Sequence, residues 1–141
     1  MRLWHHQVLC FLPKGQLLAQ WRELNSVFAK EDRHILINYI YDCPKEDLYV
    51  YTQMVLSQMQ SRGYQVRTVD KMQRYFGDVN GNALPSTPFA RYHDNEYLDI
   101  CYYNLYEKFL RGQKDFDESL FLALKTFWLN ARQDAAPPSV L

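Results

Sequence analysis

Residues 17–28 read Leu17-Leu18-Ala19-Gln20-Trp21-Arg22-Glu23-Leu24-Asn25-Ser26-Val27-Phe28. Laid on a helix at about 100° per residue, Leu17, Trp21, Leu24 and Phe28 fall on one side and form a stripe that must face a core. Gln16, Ala19, Glu23, Ser26 and Lys30 fall roughly opposite, with Arg22 on the flank. Glu23 therefore points away from the apolar stripe. That placement suits either an ordinary solvated helix face or a reactive carboxylate turned toward a ligand groove. Pro13, at home in a first helical turn where a missing N–H costs nothing, sets the start of this helix. It is predicted to run over 13–30.

Working outward, the first dozen residues carry Leu3, Trp4, Val8, Leu9, Phe11 and Leu12. That much apolar surface pins the N-terminus to the body and holds its α-amine in place. Downstream, His34 to Tyr41 is an apolar run too short to assign as strand or buried helix. Asp42 and Pro44 open a second helix, 45–62, whose stripe is Leu48, Tyr51, Val55 and Met59 and which Gly63 closes as a left-handed cap. Thr68 to Phe76 suits a short helix. Gly77 to Phe89, with Gly81, Pro85 and Pro88, reads as a long loop. A third helix, 95–111, packs Leu98, Cys101, Tyr102, Leu105 and Phe109 inward and sets Asn104, Lys108 and Arg111 on an adjacent side. Asp117 caps a fourth, 117–131, with Leu120, Leu124, Phe127, Trp128 and Ala131 along its stripe. The pattern predicts an all-α protein: one domain of about four helices over 1–134, with no sheet of three or more strands, followed by a flexible tail at 135–141.

Composition sets the outer limits. A chain of 141 residues, 48% hydrophobic and 16% aromatic, has the length and apolar content of one domain with a real core. Cys10, Cys43 and Cys101 stand singly, and their odd number without a secretory signal predicts reduced thiols that serve packing in the cytoplasm. No apolar run approaches 18 residues, and Arg2, His5, His6 and Gln7 interrupt the first twelve. The expectation is a soluble, monomeric protein with no membrane partner.

The formal net charge is zero, which counts against nucleic-acid binding. The distribution softens that objection. Within 1–30, Arg2, Lys14, Arg22 and Lys30 face Glu23 alone, and 61–91 holds Arg62, Arg67, Lys71, Arg74 and Arg91 against Asp70 and Asp78. Acids gather at 42–47 and 94–118, so a basic face with an acidic back and a scattered, patternless charge are both consistent with the sequence.

Few motifs carry chemistry. The sequence has no P-loop, no other Gly-rich phosphate loop and no G-x-S-x-G elbow, which excludes the usual nucleotide-dependent and serine-hydrolase designs. His5, His6, His34 and His93 show no HExxH or comparable spacing and read as hydrogen-bonding residues rather than metal ligands. Trp21 reads as core. Trp4 suits either core packing or stacking on a base.

The block Leu17 to Phe28, ungapped from Met1, resembles the first helix of the pyrimidine dimer DNA glycosylases, where an aromatic-Arg-Glu-Leu sequence is followed by Val-Phe. Weaker similarity returns at Asp42 to Tyr64, ending in Arg62-Gly63 and an aromatic, and at Leu105-Tyr106-Glu107-Lys108. The resemblance implies an all-α DNA repair glycosylase with abasic-site lyase activity on pyrimidine dimers or related damaged bases in duplex DNA. It needs no metal or cofactor. By resemblance the nucleophile is the terminal α-amine and the key carboxylate is Glu23, with Arg2, Lys14, Gln16, Arg22, His34 and Lys108 as DNA-binding positions. An α-amine titrates at about 7.7–8.0 when unperturbed and is better supplied in its nucleophilic form at neutral pH than a lysine.

The departures from the family are specific. Arg2 stands where the phage member has threonine, and because methionine removal generally needs a small second residue, the amine is expected to be that of Met1. Ser26 and Asn104 stand where that member has DNA-gripping arginines, and its aromatic, basic C-terminus has no counterpart in Asp117 to Arg132. These differences leave open a second reading, a diverged nucleic-acid- or protein-binding module of the same fold.

Overall fold

Pro13 occupies the N-cap of the first long helix rather than its first turn as predicted, and α1 follows as Lys14–Ala29. In the computed structural model, which describes residues 1–135, four more helices come after it. They are α2 (Lys45–Ser61), α3 (Asp70–Tyr75), α4 (Asn95–Leu110) and α5 (Glu118–Ala135). Two 3-10 segments, His6–Phe11 and Asn38–Asp42, precede α1 and α2. Among the described residues there is no strand. Helix α5 reaches Ala135, and the rest of the expected tail, 136–141, lies outside the described residues.

The caps explain the boundaries. After α2, Gly63 sits at φ +79°, and Tyr64 N–H and Gly63 N–H reach back to Met59 O and Gln60 O. This is the Schellman closure that a residue without Cβ makes cheaply. Asp117 caps α5 through Leu120 N–H at 2.7 Å. Asp42, expected to open α2, instead ends the 3-10 segment, and Pro44 takes the cap. The apolar run that sequence left unassigned is thus a turn at Ile35–Ile37 followed by that 3-10 segment; Ile37 and Ile40 are buried, and Ile35 and Leu36 are exposed.

The helices pack in two groups. α1 lies on α2 and α3, and α4 pairs with α5, while the N-terminal 3-10 segment touches α2, α4 and α5. Leu17, Leu24 and Phe28 of α1 are buried as the stripe predicts, and Val27 beside them, but Trp21 is only half-buried against the core. Side chains of this size contribute about 1.5–3 kcal/mol each on full burial. The α4–α5 pair is locked by Tyr102 and Trp128, stacked at 3.9 Å, with Trp128 Nε1–H donating to Asp99 Oδ1 at 2.7 Å.

What joins the two groups is the extended segment Arg2–Trp4. It has no secondary structure, so its backbone needs partners from side chains. Gln20, fully buried on α1, supplies two: its Oε1 accepts from Trp4 N–H at 2.9 Å and its Nε2 donates to Arg2 O at 3.1 Å. Tyr51 of α2 places its hydroxyl 2.6 Å from Trp4 O and 2.8 Å from Gln20 Oε1, and Tyr97 of α4 donates to Leu3 O. Three helices therefore hold three consecutive residues. Leu3 and Trp4 are buried behind them, so the apolar N-terminal residues do fix the chain start.

Gln20→Leu would keep the volume but leave a buried N–H and C=O without partners. Each such orphan costs about 1–3 kcal/mol, so urea unfolding should show a loss of about 2–4 kcal/mol. Hydrogen exchange at Trp4 N–H should speed up by at least tenfold. Tyr51→Phe should cost only about 1 kcal/mol.

Candidate functional site

The segment that Gln20 holds forms one wall of a cleft of about 250 Å³ between α1 and α4. Met1, Arg2 and Trp4 line it from the N-terminus, Gln16, Ala19 and Glu23 from α1, Asn104 and Lys108 from α4, and Leu36 from the turn before the second 3-10 segment. Of the residues predicted from sequence, the fold thus brings together Met1, Arg2, Gln16, Glu23 and Lys108. Lys14, Arg22 and His34 lie outside the cleft lining. Lys14 sits over the Tyr64 ring at 5.4 Å, Arg22 is exposed, and His34 Nδ1 accepts from Leu36 N–H at 3.2 Å.

Glu23 is half-buried, and that burial raises its carboxyl above the ordinary value. The α-ammonium of Met1 and the Arg22 guanidinium pull it back in part, which makes the terminal amine an electrostatic neighbour of Glu23. Among the described residues the three ion pairs, Lys45–Asp78, Arg111–Glu107 and Arg132–Asp99, include neither group. Glu23 Oε2 instead accepts from Gln20 Nε2 at 3.3 Å. Since Gln20 Oε1 faces Trp4 N–H, its orientation is settled: a flipped amide would set donor against donor. One amide therefore spans the carboxylate and the backbone that carries the amine.

Sequence reasoning missed Gln20. The available signal was a polar amide three residues after Leu17 and four before Leu24, on the core-facing side of α1, where an amide is kept only if hydrogen-bonded. Tyr97 was equally unmarked, and Tyr51 was read only as part of the apolar stripe of α2. Burial raises both phenols, so they stay protonated and donate. Arg2 folds inward, its guanidinium 5.9 Å from the Trp4 and Tyr97 rings. Trp4 is buried, yet it also borders the cleft.

The basic residues counted along the chain are not equally available. Arg62 donates to Leu12 O at 2.7 Å and Cys10 O at 3.2 Å, closing the first 3-10 segment. Arg111 pairs with Glu107. The Lys108 side chain enters neither an ion pair nor a hydrogen bond among the described residues, and Lys108 lines the cleft.

Three of the four histidines converge behind the N-terminal segment. His5, His6 and His93 have ligand atoms within 4.8 Å of one another, and their rings stack, His5 on His6 at 4.6 Å and His6 on His93 at 5.7 Å. Hydrogen bonds already use much of the set. His5 Nδ1 accepts from Gln7 N–H, and His93 Nδ1 accepts from His6 N–H at 3.2 Å, leaving His93 Nε2–H to meet Tyr39 Oη at 2.7 Å. A metal ion could take all three rings only by displacing one of those partners. Burial, then the neighbouring imidazoles, lowers His93 to about 2 and His5 to about 4.

A family model described as pyrimidine dimer DNA glycosylase matches residues 1–72. Comparisons with curated proteins and with solved structures return no match. The matched half contains Met1, Arg2, Gln16, Glu23 and Leu36 of the cleft, while Asn104 and Lys108 come from beyond it.

The histidine stack gives a pH prediction. Unfolded histidines take a proton near 6.5 and the buried ones do not, so the unfolded state binds more protons and stability falls as pH drops below about 6.5. Each contributes a slope of up to about 1.4 kcal/mol per pH unit. The window closes at about 4 for His5 and extends toward about 2 for His93. His93→Gln should be less stable at pH 7 by about 1–3 kcal/mol but should lose stability more slowly from pH 6.5 to 4. Urea unfolding followed by circular dichroism at several pH values would measure both.

Proposed function

Because the chain belongs to the pyrimidine dimer DNA glycosylase family, we propose that it removes a damaged base from duplex DNA and cleaves the abasic strand by β-elimination. The observation that carries this reading is the shared cleft of Met1 and Glu23, flanked by Arg2 and Lys108. In the proposed reaction the α-amine attacks C1′ of the deoxyribose and the C1′–N bond to the base breaks, its electron pair leaving with the base, which takes up a proton. Opening of the sugar ring gives a protonated Schiff base between the amine and C1′. That electron sink acidifies C2′. Glu23 takes the C2′ proton, and the C3′–O bond breaks with its electrons leaving on the 3′ phosphate. Arg2 and Lys108 hold backbone phosphates near the cleft, and Arg22 and Lys14 extend that contact outside it.

The environment of Glu23 suits a group that must cycle through both protonation states. Partial burial moves its carboxyl toward neutrality, and the adjacent amine keeps the carboxylate accessible. Gln20 holds the carboxylate and the N-terminal backbone in register, so the two reacting groups are set before substrate arrives.

Borohydride added to the protein with an abasic duplex should trap a covalent adduct. An extension of a few residues before Met1 should abolish trapping while changing duplex affinity by less than about threefold, since it moves the amine without removing a phosphate contact. Glu23→Gln should slow elimination by about 10²-fold or more and leave the fold intact, because its half-buried site already disfavours the charge. Elimination from the preformed Schiff base, in which the amine is already consumed, should slow on acidification in the parent with a midpoint above the ordinary glutamate value of 4.5, and that limb should vanish in the variant. Salt-dependent duplex binding without any trapped adduct would instead favour the binding-module reading, which Arg2 at the second position supports.

A further inference from the structure

The two helices that border the cleft are tied together by one side chain from the turn after α4. Gly112, at φ +81°, closes α4 with its N–H on Phe109 O at 3.0 Å, and Gln113 N–H reaches Lys108 O at 3.2 Å. This Schellman pair fixes the backbone of Gln113. Its side chain then crosses to α1. Gln113 Nε2 lies 2.6 Å from Gln16 Oε1 and 2.6 Å from Asp115 Oδ1, and Asp115 Oδ2 accepts Gly15 N–H at 2.6 Å. That N–H belongs to the first turn of α1, where the helix offers its own donors no partner.

The chemistry of the groups sets the direction of each bond. A carboxylate only accepts, and hydrogen bonding from Gln113, then from Gly15 N–H, holds the Asp115 carboxyl below its ordinary value. The group beside Asp115 Oδ1 is therefore the NH2 of Gln113, whose second hydrogen goes to Gln16. Gln16 must meet it with oxygen. Its own NH2 makes no hydrogen bond among the described residues, and Gln16 lines the cleft, as Lys108 does.

We infer that Gln113 and Asp115 are positioning residues that lock the Gln16 amide in one sense, leaving its two N–H donors for a backbone phosphate oxygen of the bound strand. This rests on the proposed function, because that reading puts DNA at the cleft. A phosphate oxygen accepts and never donates, so an amide held this way fits it and an amide turned the other way repels it. Gln16 and Glu23 stand seven residues apart on α1, about 10 Å along its axis. The phosphate that Gln16 meets is then one that flanks the reacting sugar, not the one that leaves. Gln113 and Asp115 both lie beyond the residues matched to the family, so their role comes from the packing of this chain alone.

Duplex affinity tests it, read by fluorescence anisotropy on duplexes that carry a tetrahydrofuran abasic analogue and, one phosphate at a time, a neutral methylphosphonate. In the parent, neutralising one flanking phosphate should weaken binding by about fivefold or more, as expected for a hydrogen bond to a charged group. Gln16→Ala should bind the unmodified duplex more weakly by the same factor and lose nothing further at that phosphate. Gln113→Glu separates orientation from simple support. Its carboxylate can only accept, so it draws the Gln16 NH2 to itself and turns the oxygen to the cleft. The loss at that phosphate should vanish, while losses at the others stay within about twofold of the parent's. If the added charge beside Asp115 unfolds that variant, Gln113→Leu decides, since it frees the amide and should at least halve the loss. Either variant keeping the parent's full loss at that phosphate would overturn the lock. So would a variant weakened alike on every duplex with its phosphate profile intact, which is what a purely structural tie would give. A Gln16→Ala profile identical with the parent's would remove the contact itself. Failure of the proposed function looks different, because the parent would then trap no borohydride adduct whatever its phosphate profile, and a parent that bound no duplex would end both readings.

Discussion

A single buried amide holds this molecule's working end together. Gln20 sits in the core-facing side of α1, where an unpartnered polar group would cost about 1–3 kcal/mol, and every polar atom it has is used. Its oxygen accepts Trp4 N–H, and its nitrogen serves Arg2 O and the Glu23 carboxylate. The extended chain start has no strand or helix to satisfy its backbone, so without such side chains it would go to water and fray. Tyr51 and Tyr97 complete the set from α2 and α4, so the terminus reports the relative position of three helices.

This arrangement explains why the cleft lies between α1 and α4. α1 is committed to α2 and α3, and α4 to α5; the N-terminal segment fills the space that remains and leaves one side open. Its length is fixed by the burial of Leu3 and Trp4 and, further on, by the histidine stack. The stack is a rigid block, with His6 and His93 joined ring to backbone and His93 joined to Tyr39. Phe89, at φ +54° and buried, is held there by the bond from its N–H to Asp47 Oδ1 at 2.7 Å, and its carbonyl accepts His93 N–H. A bulky residue in that region stores strain, and the long loop is therefore fastened at the end that supports His93.

Electrostatics follow the same logic of position over count. A net charge of zero describes the whole surface. The cleft holds Arg2, Lys108 and the α-amine against Glu23, while Arg62 and Arg111 are engaged elsewhere, one on backbone carbonyls and the other on Glu107. Charges separated by more than about 8–10 Å are largely screened at ordinary ionic strength. The local excess is what a phosphate backbone would meet.

The sequence by itself determined the helices, because a stripe at helical spacing, a glycine after its last turn and an aspartate before its first are local signals. Leu17, Leu24 and Phe28 on α1, Gly63 after α2 and Asp117 before α5 could all be read that way, and the Trp-Arg-Glu-Leu block carried the resemblance that put Glu23 and the terminal amine forward as candidates. Tertiary structure decided the rest. Whether Glu23 met solvent or a cleft depended on where α4 and the chain start came to lie, and no wheel of α1 contains that. Trp21 lies on the stripe yet is only half-buried, because packing on α2 and α3 covers one part of the face more fully than another. Histidines at 5, 6 and 93, unrelated by spacing, stack because the first 3-10 segment crosses the start of α4. Ile35 and Leu36, read as part of one apolar run, split from Ile37 and Ile40 because a turn whose bonds close on His34 reverses the direction of successive side chains. Local periodicity fixes which face of an element is apolar, but the neighbour that face meets is set by contacts distant in sequence.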